Sequence, residues 1–161
     1  MTIEVDVQYG EDIPDEQCAD MPSPRKIAAW AEAALAGLRT EALLTVRIVS
    51  REEGAALNQT YRHKQGPTNV LSFAVEDTAS LPLPLLGDIV ICAPVVKREA
   101  YDQHKELSAH WAHMVVHGTL HLLGYDHLDD SQAQEMESLE THILTGLGFP
   151  NPYHEALPSV I

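Results

Sequence analysis

Apolar and polar residues alternate along IEVDVQ (3–8), the period of a half-buried strand. The rhythm then changes. In MPSPRKIAAWAEAALAGL, the residues Ile27, Trp30, Ala31, Ala34, Leu35 and Leu38 recur at three- and four-residue intervals. That spacing lines one face of a helix and makes the face core. Ser23 and Pro24 supply its N-cap and first turn. ALLTVRIVS (42–50) predicts a second strand. SREE then has the form of a capping box, with Ser50 at the cap and Glu53 three residues on. It opens a short helix that carries Leu57 and Tyr61 four apart and ends near Arg62. A turn at Gly66 and Pro67 leads into TNVLSFAVE, where Leu71, Phe73 and Val75 share a face, and LGDIVICA (86–93) is a further buried strand. From Pro94 the period is helical again, over about 94–105, about Ser108–Leu123 and about Ser131–Leu144. In the last of these, Met136, Leu139 and Ile143 face inward. Strands and helices mix without strict alternation, and no repeat or linker interrupts them. The expected fold is therefore α+β: a single compact domain over 1–161, with a mixed sheet of about four strands and helices packed on it.

Composition narrows the setting. An apolar content of 45% and a charged content of 21% are those of an ordinary soluble domain. The most apolar stretch, LPLPLLGDIVICAPVV, is broken by Asp88 and three prolines, so no membrane span is expected. MTIEVDVQYGED lacks the basic and apolar regions of a secretory signal. Cys18 and Cys92 form no C-x-x-C pair, which fits a reducing compartment. The expected location is cytoplasmic. A net charge of −14 argues against general nucleic-acid binding, and no DNA partner is expected. All ten Lys and Arg lie at or before Lys105, so an anionic ligand must be held by the first two-thirds of the chain or by a metal. The densest basic stretch is YRHK (61–64).

The candidate chemistry lies in HGTLHLLGYDH (117–127). His117 and His121 are four residues apart, hence on one helix face a turn apart. Gly124 can end that helix in a left-handed conformation and return His127 to the same point. Three histidines leave a fourth zinc position open, the construction of a catalytic site rather than a structural one. The metal site would thus sit on a central helix and the turn after it. The competing reading makes these core histidines, hydrogen-bonded on a helix face. His113 extends the stripe, but the span from His113 to His121 is about 12 Å at 1.5 Å per residue, too long for one ion. It reads as a packing or supporting residue, with His110 further out. His104, His142 and His154 carry no spacing argument. Asp126 and Asp88 are candidate partners for an imidazole N–H, although Asp88 reads better as a cap of a strand or turn.

This spacing resembles that of the metzincin peptidases, H-E-x-x-H-x-x-G-x-x-H, in which the glutamate works on the metal-held water. Here Gly118 takes the glutamate's position, which disfavours peptide hydrolysis. RNA depends less on such a base, because it carries its own 2′-hydroxyl nucleophile. Arg62 is the leading cation for the phosphate, since a guanidinium fits two phosphate oxygens, and Lys64 is a candidate contact.

With its glycine, HGTLHLLGYDH resembles the signature of the YbeY family of rRNA maturation factors. LNQTYRHKQGPTNVLSF (57–73) and LGDIVI (86–91) are similar to that family's other segments. The resemblance implies a zinc-dependent, single-strand-specific endoribonuclease with one zinc ion (Zn2+) on His117, His121 and His127 and with Arg62 in the cleft. It also implies single-stranded and ribosomal RNA as partners, together with the small ribosomal subunit and its assembly factors. The implied roles are small-subunit rRNA 3′-end maturation and ribosome quality control. Three histidines would accept nickel or copper as well. Asn69 stands where the family commonly has aspartate. The alternatives are a zinc metallopeptidase with a non-standard base and a non-catalytic, metal-stabilised rRNA assembly factor.

Overall fold

The computed structural model describes residues 2–13, 20–75 and 84–153; Cys18 and His154 lie outside them. The elements run β1 (Thr2–Tyr9), α1 (Pro24–Leu35), β2 (Glu41–Val49), α2 (Arg51–Arg62), β3 (Val70–Ala74), β4 (Leu85–Cys92), α3 (Ala93–Asp102), α4 (Leu107–Leu122) and α5 (Asp130–Gly146). The four strands form one mixed sheet in the order β1-β2-β4-β3, an α+β arrangement. β1, β2 and β4 are parallel, with Val5 opposite Leu44 and Val46 opposite Ile89. β3 is antiparallel to β4 at the edge, with Ser72 opposite Ile89.

Alternation along β2 buries Ala42, Leu44, Val46 and Ile48 on one face. α1 and α4 cover that face, α5 packs against these two helices, and together they supply Ile27, Trp111, Val115, Leu120, Met136 and Leu144 to the main core. α2 lies over the other face, where Leu57 packs on a smaller cluster of Val49, Leu71, Val90 and Cys92. α4 is buried nearly all round, so it forms the centre of the molecule.

Local chemistry sets the ends of these elements. The Ser23 side chain accepts from the Lys26 N–H at 3.2 Å to cap α1, with Pro24 in the first turn. Ser50 accepts from the Glu53 N–H at 3.2 Å to cap α2. The reciprocal half of the expected capping box is not formed, because the Glu53 carboxylate accepts instead from Arg47 Nε at 2.6 Å. Leu38 was expected in the core stripe, but α1 stops at Leu35 and leaves Leu38 on the surface. α2 meets the sheet through Gly54, Leu57 and Asn58, and Tyr61, four residues after Leu57, places its partly exposed ring against Phe73.

Candidate metal centre

α4 ends as the glycine at position 124 suggests. Gly124 adopts φ +101°, its N–H bonds the His121 carbonyl at 3.0 Å, and the Tyr125 N–H bonds the Leu120 carbonyl at 3.1 Å. The reversal brings His127 back beside the helix, with its ring centroid 5.9 Å from that of His117 and 5.3 Å from that of His121. Each of the three offers a ligand nitrogen, and these nitrogens all lie within 4.8 Å of one another.

Hydrogen bonds fix the tautomers of two of these rings. His121 Nδ1 lies 2.8 Å from the Tyr125 carbonyl, which can only accept, so Nδ1 carries the proton. His117 Nδ1 lies 2.9 Å from Glu140 Oε1. Burial alone would raise the Glu140 pKa, but hydrogen bonds from His113, His117 and Tyr153 outweigh it and hold the carboxyl at about 2. Glu140 is therefore ionised and accepts, and His117 Nδ1 is also the protonated nitrogen. In the neutral rings both Nε2 atoms present bare lone pairs, 3.0 Å apart. Two acceptors at that distance are stable only with a proton or a metal cation between them. Burial pushes the His121 pKa down, which disfavours the proton. The donor set therefore fits a metal ion.

A second group, His113, His117 and Glu140, also brings three potential ligand atoms together. Its atoms are already committed. Glu140 Oε2 accepts from His113 Nε2 at 2.5 Å and from the Tyr153 hydroxyl at 2.6 Å, and Oε1 faces His117. Glu140 has no exposed surface, and both its oxygens are already hydrogen-bonded. This group works as a hydrogen-bonded support behind His117. His113 belongs to it, as the spacing argument requires. Burial lowers the His113 pKa despite the attraction of Glu140, so the ring is neutral and donates.

The orienting carboxylate is thus Glu140, and neither Asp88 nor Asp126 takes its place. Asp88 is exposed in the middle of β4, opposite Thr45 and Phe73, and so caps no strand end either. Asp126 accepts from the His127 N–H at 2.8 Å, while its carboxylate is 3.8 Å from that ring's Nδ1. Glu140 had a signal in the sequence. It lies four residues after Met136 and four before Leu144, on the buried stripe of α5, where a carboxylate persists only if paired.

The three histidines share a cleft of about 570 Å³ with Arg62, Lys64, Asn69 and Ser72. α2 closes at His63, which takes φ 56°, and Asn58 Nδ2 ties the following turn through the Gly66 carbonyl at 2.8 Å. Arg62 is thereby aimed along the edge strand. It donates to the Ser72 carbonyl at 2.7 Å and lies over the Phe73 ring, 5.1 Å from its centroid. No carboxylate pairs with Arg62 among the described residues, so its charge remains available to a ligand. The Asn69 amide, at the cleft wall, is already committed to partners of its own. Its Nδ2 donates to Glu99 Oε1 at 3.1 Å, and its Oδ1 accepts from the Val70 N–H at 2.6 Å.

Gly118 faces the sheet. A Cβ built there would stand 2.8 Å from Ile89 Cγ2 and 3.3 Å from both Ser72 Oγ and Val70 Cγ2. The Ser72 hydroxyl donates to the Gly118 carbonyl at 3.0 Å, so the helix and the edge strand meet at this point. The position of the peptidase glutamate is occupied by packing.

The fold is similar to the solution structure of TM1509 from Thermotoga maritima, with a TM-score of 0.57 at 23% identity, covering 98% of this chain and 100% of that one. The family model described as endoribonuclease YbeY matches residues 13–148, a span that includes Arg62, the whole histidine segment and Glu140. The chain belongs to the YbeY endoribonuclease family.

Proposed function

We propose that residues 1–161 form a single metal-dependent endoribonuclease domain. It cuts single-stranded RNA in rRNA processing, at the 3′ end of small-subunit rRNA and in ribosome quality control. The observation that carries the reading is the pair of bare Nε2 atoms of His117 and His121, 3.0 Å apart, in one cleft with Arg62. His117, His121 and His127 would hold one zinc ion, which supplies a double positive charge and a Lewis acid at the phosphate. Family membership supports action on RNA, and the converging nitrogens of the three histidines support a metal. The partners are single-stranded and ribosomal RNA, with the small subunit and its assembly factors.

The chain's own groups do the positioning. Arg62 engages phosphate oxygens and stabilises the charge that develops on them. Lys64, exposed at the same cleft, adds a second cation that binds the substrate. Glu140 and the Tyr125 carbonyl hold the imidazoles of His117 and His121 in the tautomer that leaves Nε2 free. The 2′-oxygen of RNA bonds to phosphorus as the bond to the 5′-oxygen breaks, its proton passing to solvent and the departing 5′-oxygen taking one from solvent, which lets a site without the glutamate serve. Among the described residues no helix is long and apolar enough to cross a membrane, and the proposed location is the cytoplasm.

The test is cleavage of single-stranded RNA by purified protein, with metal analysis of the same preparation. Wild type should cleave and hold about one zinc per chain, whereas His121→Ala and Arg62→Ala should each lose activity by about a hundredfold or more. Cleavage that survives both substitutions and chelation belongs to a contaminating nuclease and ends the proposal.

A further inference from the structure

Next to Arg62, on the same Phe73 ring, stands a side chain that the chemistry above leaves unused. Tyr61, in the last turn of α2, is 57% exposed. Its ring meets Phe73 edge-on, with centroids 5.2 Å apart and planes at 65°. The guanidinium of Arg62 lies over the same Phe73 ring. Phe73 therefore supports both neighbours, and a Tyr61 ring held at a fixed angle loses little entropy when something stacks on it.

We propose that Tyr61 is a stacking shelf for a nucleobase of the RNA strand, flanking the phosphate held at Arg62. This rests on the endoribonuclease reading. Stacking needs no positive surface, which suits a chain of net charge −14 with few cations at its cleft. Every base has a π face, so the shelf tolerates sequence, and only an unpaired strand can present that face. The shelf thus gives single-strand selectivity a physical origin.

The test uses the metal-loaded protein and a labelled oligoadenylate of about ten nucleotides, a length within the range such sites cover. A second set of oligonucleotides carries one abasic residue, moved along the strand. Tyr61→Ala and Tyr61→Leu should bind about five- to a hundredfold more weakly, with a raised KM and unchanged kcat. Tyr61→Phe should stay within about twofold of wild type, because it keeps the ring. At one abasic position wild type should lose the same factor, and Tyr61→Ala should lose nothing more. Circular dichroism should match throughout. If wild type binds and cleaves but Tyr61→Ala or Tyr61→Leu matches it, Tyr61 only covers Phe73 and the shelf is refuted. If wild type neither binds nor cleaves the oligonucleotide, the endoribonuclease reading falls and takes the shelf with it.

Discussion

A carboxylate with no exposed surface stays ionised only where hydrogen bonds replace its water, and Glu140 has three such donors. Glu140→Gln keeps the shape but removes the charge that fixes the His117 tautomer. Zinc affinity should fall about 10- to 100-fold, measured by competition with a chromogenic chelator, while the fold survives. Unchanged affinity would mean that His117 is oriented by something else. Asn69 makes a second argument at this scale. Burial would raise the Glu99 pKa, but hydrogen bonds from His110 and Asn69 bring it below the ordinary value. The depressed value means that Glu99 contributes stability above its unfolded pKa, and this is lost as pH falls through the folded one. The melting temperature of wild type should therefore fall more than that of Glu99→Gln on acidification. In Asn69→Asp a second carboxylate would face Glu99 at hydrogen-bond distance. The variant should lose about 1–2 kcal/mol at neutral pH, and the deficit should shrink as the acids protonate. The Asn69 amide is matched to Glu99 in this chain.

At the scale of elements, the contact of α4 with the β3–β4 edge decides what position 118 can hold. Ile89 Cγ2 is a branched side chain on a central strand, so it yields little to a new methyl. Gly118→Ala should cost about 1–3 kcal/mol in urea unfolding, and Gly118→Glu should fail to fold rather than become a peptidase. A folded Gly118→Glu with peptide turnover would overturn this account. Most of the elements were legible in the sequence. Alternation marked β1 and β2, the helical stripe marked α1, and Gly124 marked the end of α4. The pairing of β3 was not legible. Antiparallel placement at the edge depends on which strands lie beside β4, and no local period encodes that. Leu38 was misplaced for a related reason. It lies just beyond the end of α1, where the chain departs from the stripe that spacing extrapolates.

For the whole molecule, the main core draws on α1, α3, α4, α5 and the sheet, while His117 and His121 are half-buried and His127 is exposed. Chelated protein should keep its circular dichroism and lose RNA cleavage, with a lower melting temperature because bound metal favours the folded state. Unfolding on chelation would instead favour a metal-stabilised scaffold. The strongly acidic chain must take RNA through a local site. With Arg62 and Lys64 as its phosphate contacts, the slope of log K against log salt should be roughly −1.4, from about −0.7 per contact on a single strand. A much steeper slope would indicate a basic surface elsewhere. The sequence by itself determined the histidine triad, because a helix turn and a glycine stop are local and bring His117, His121 and His127 together within eleven residues. It also marked Arg62 as a cation. Only the tertiary structure decided that Glu140 stands behind His117, that Asn69 answers Glu99 and that Gly118 is filled by the sheet. Each of these joins residues remote along the chain, and their distances are set by how the elements pack.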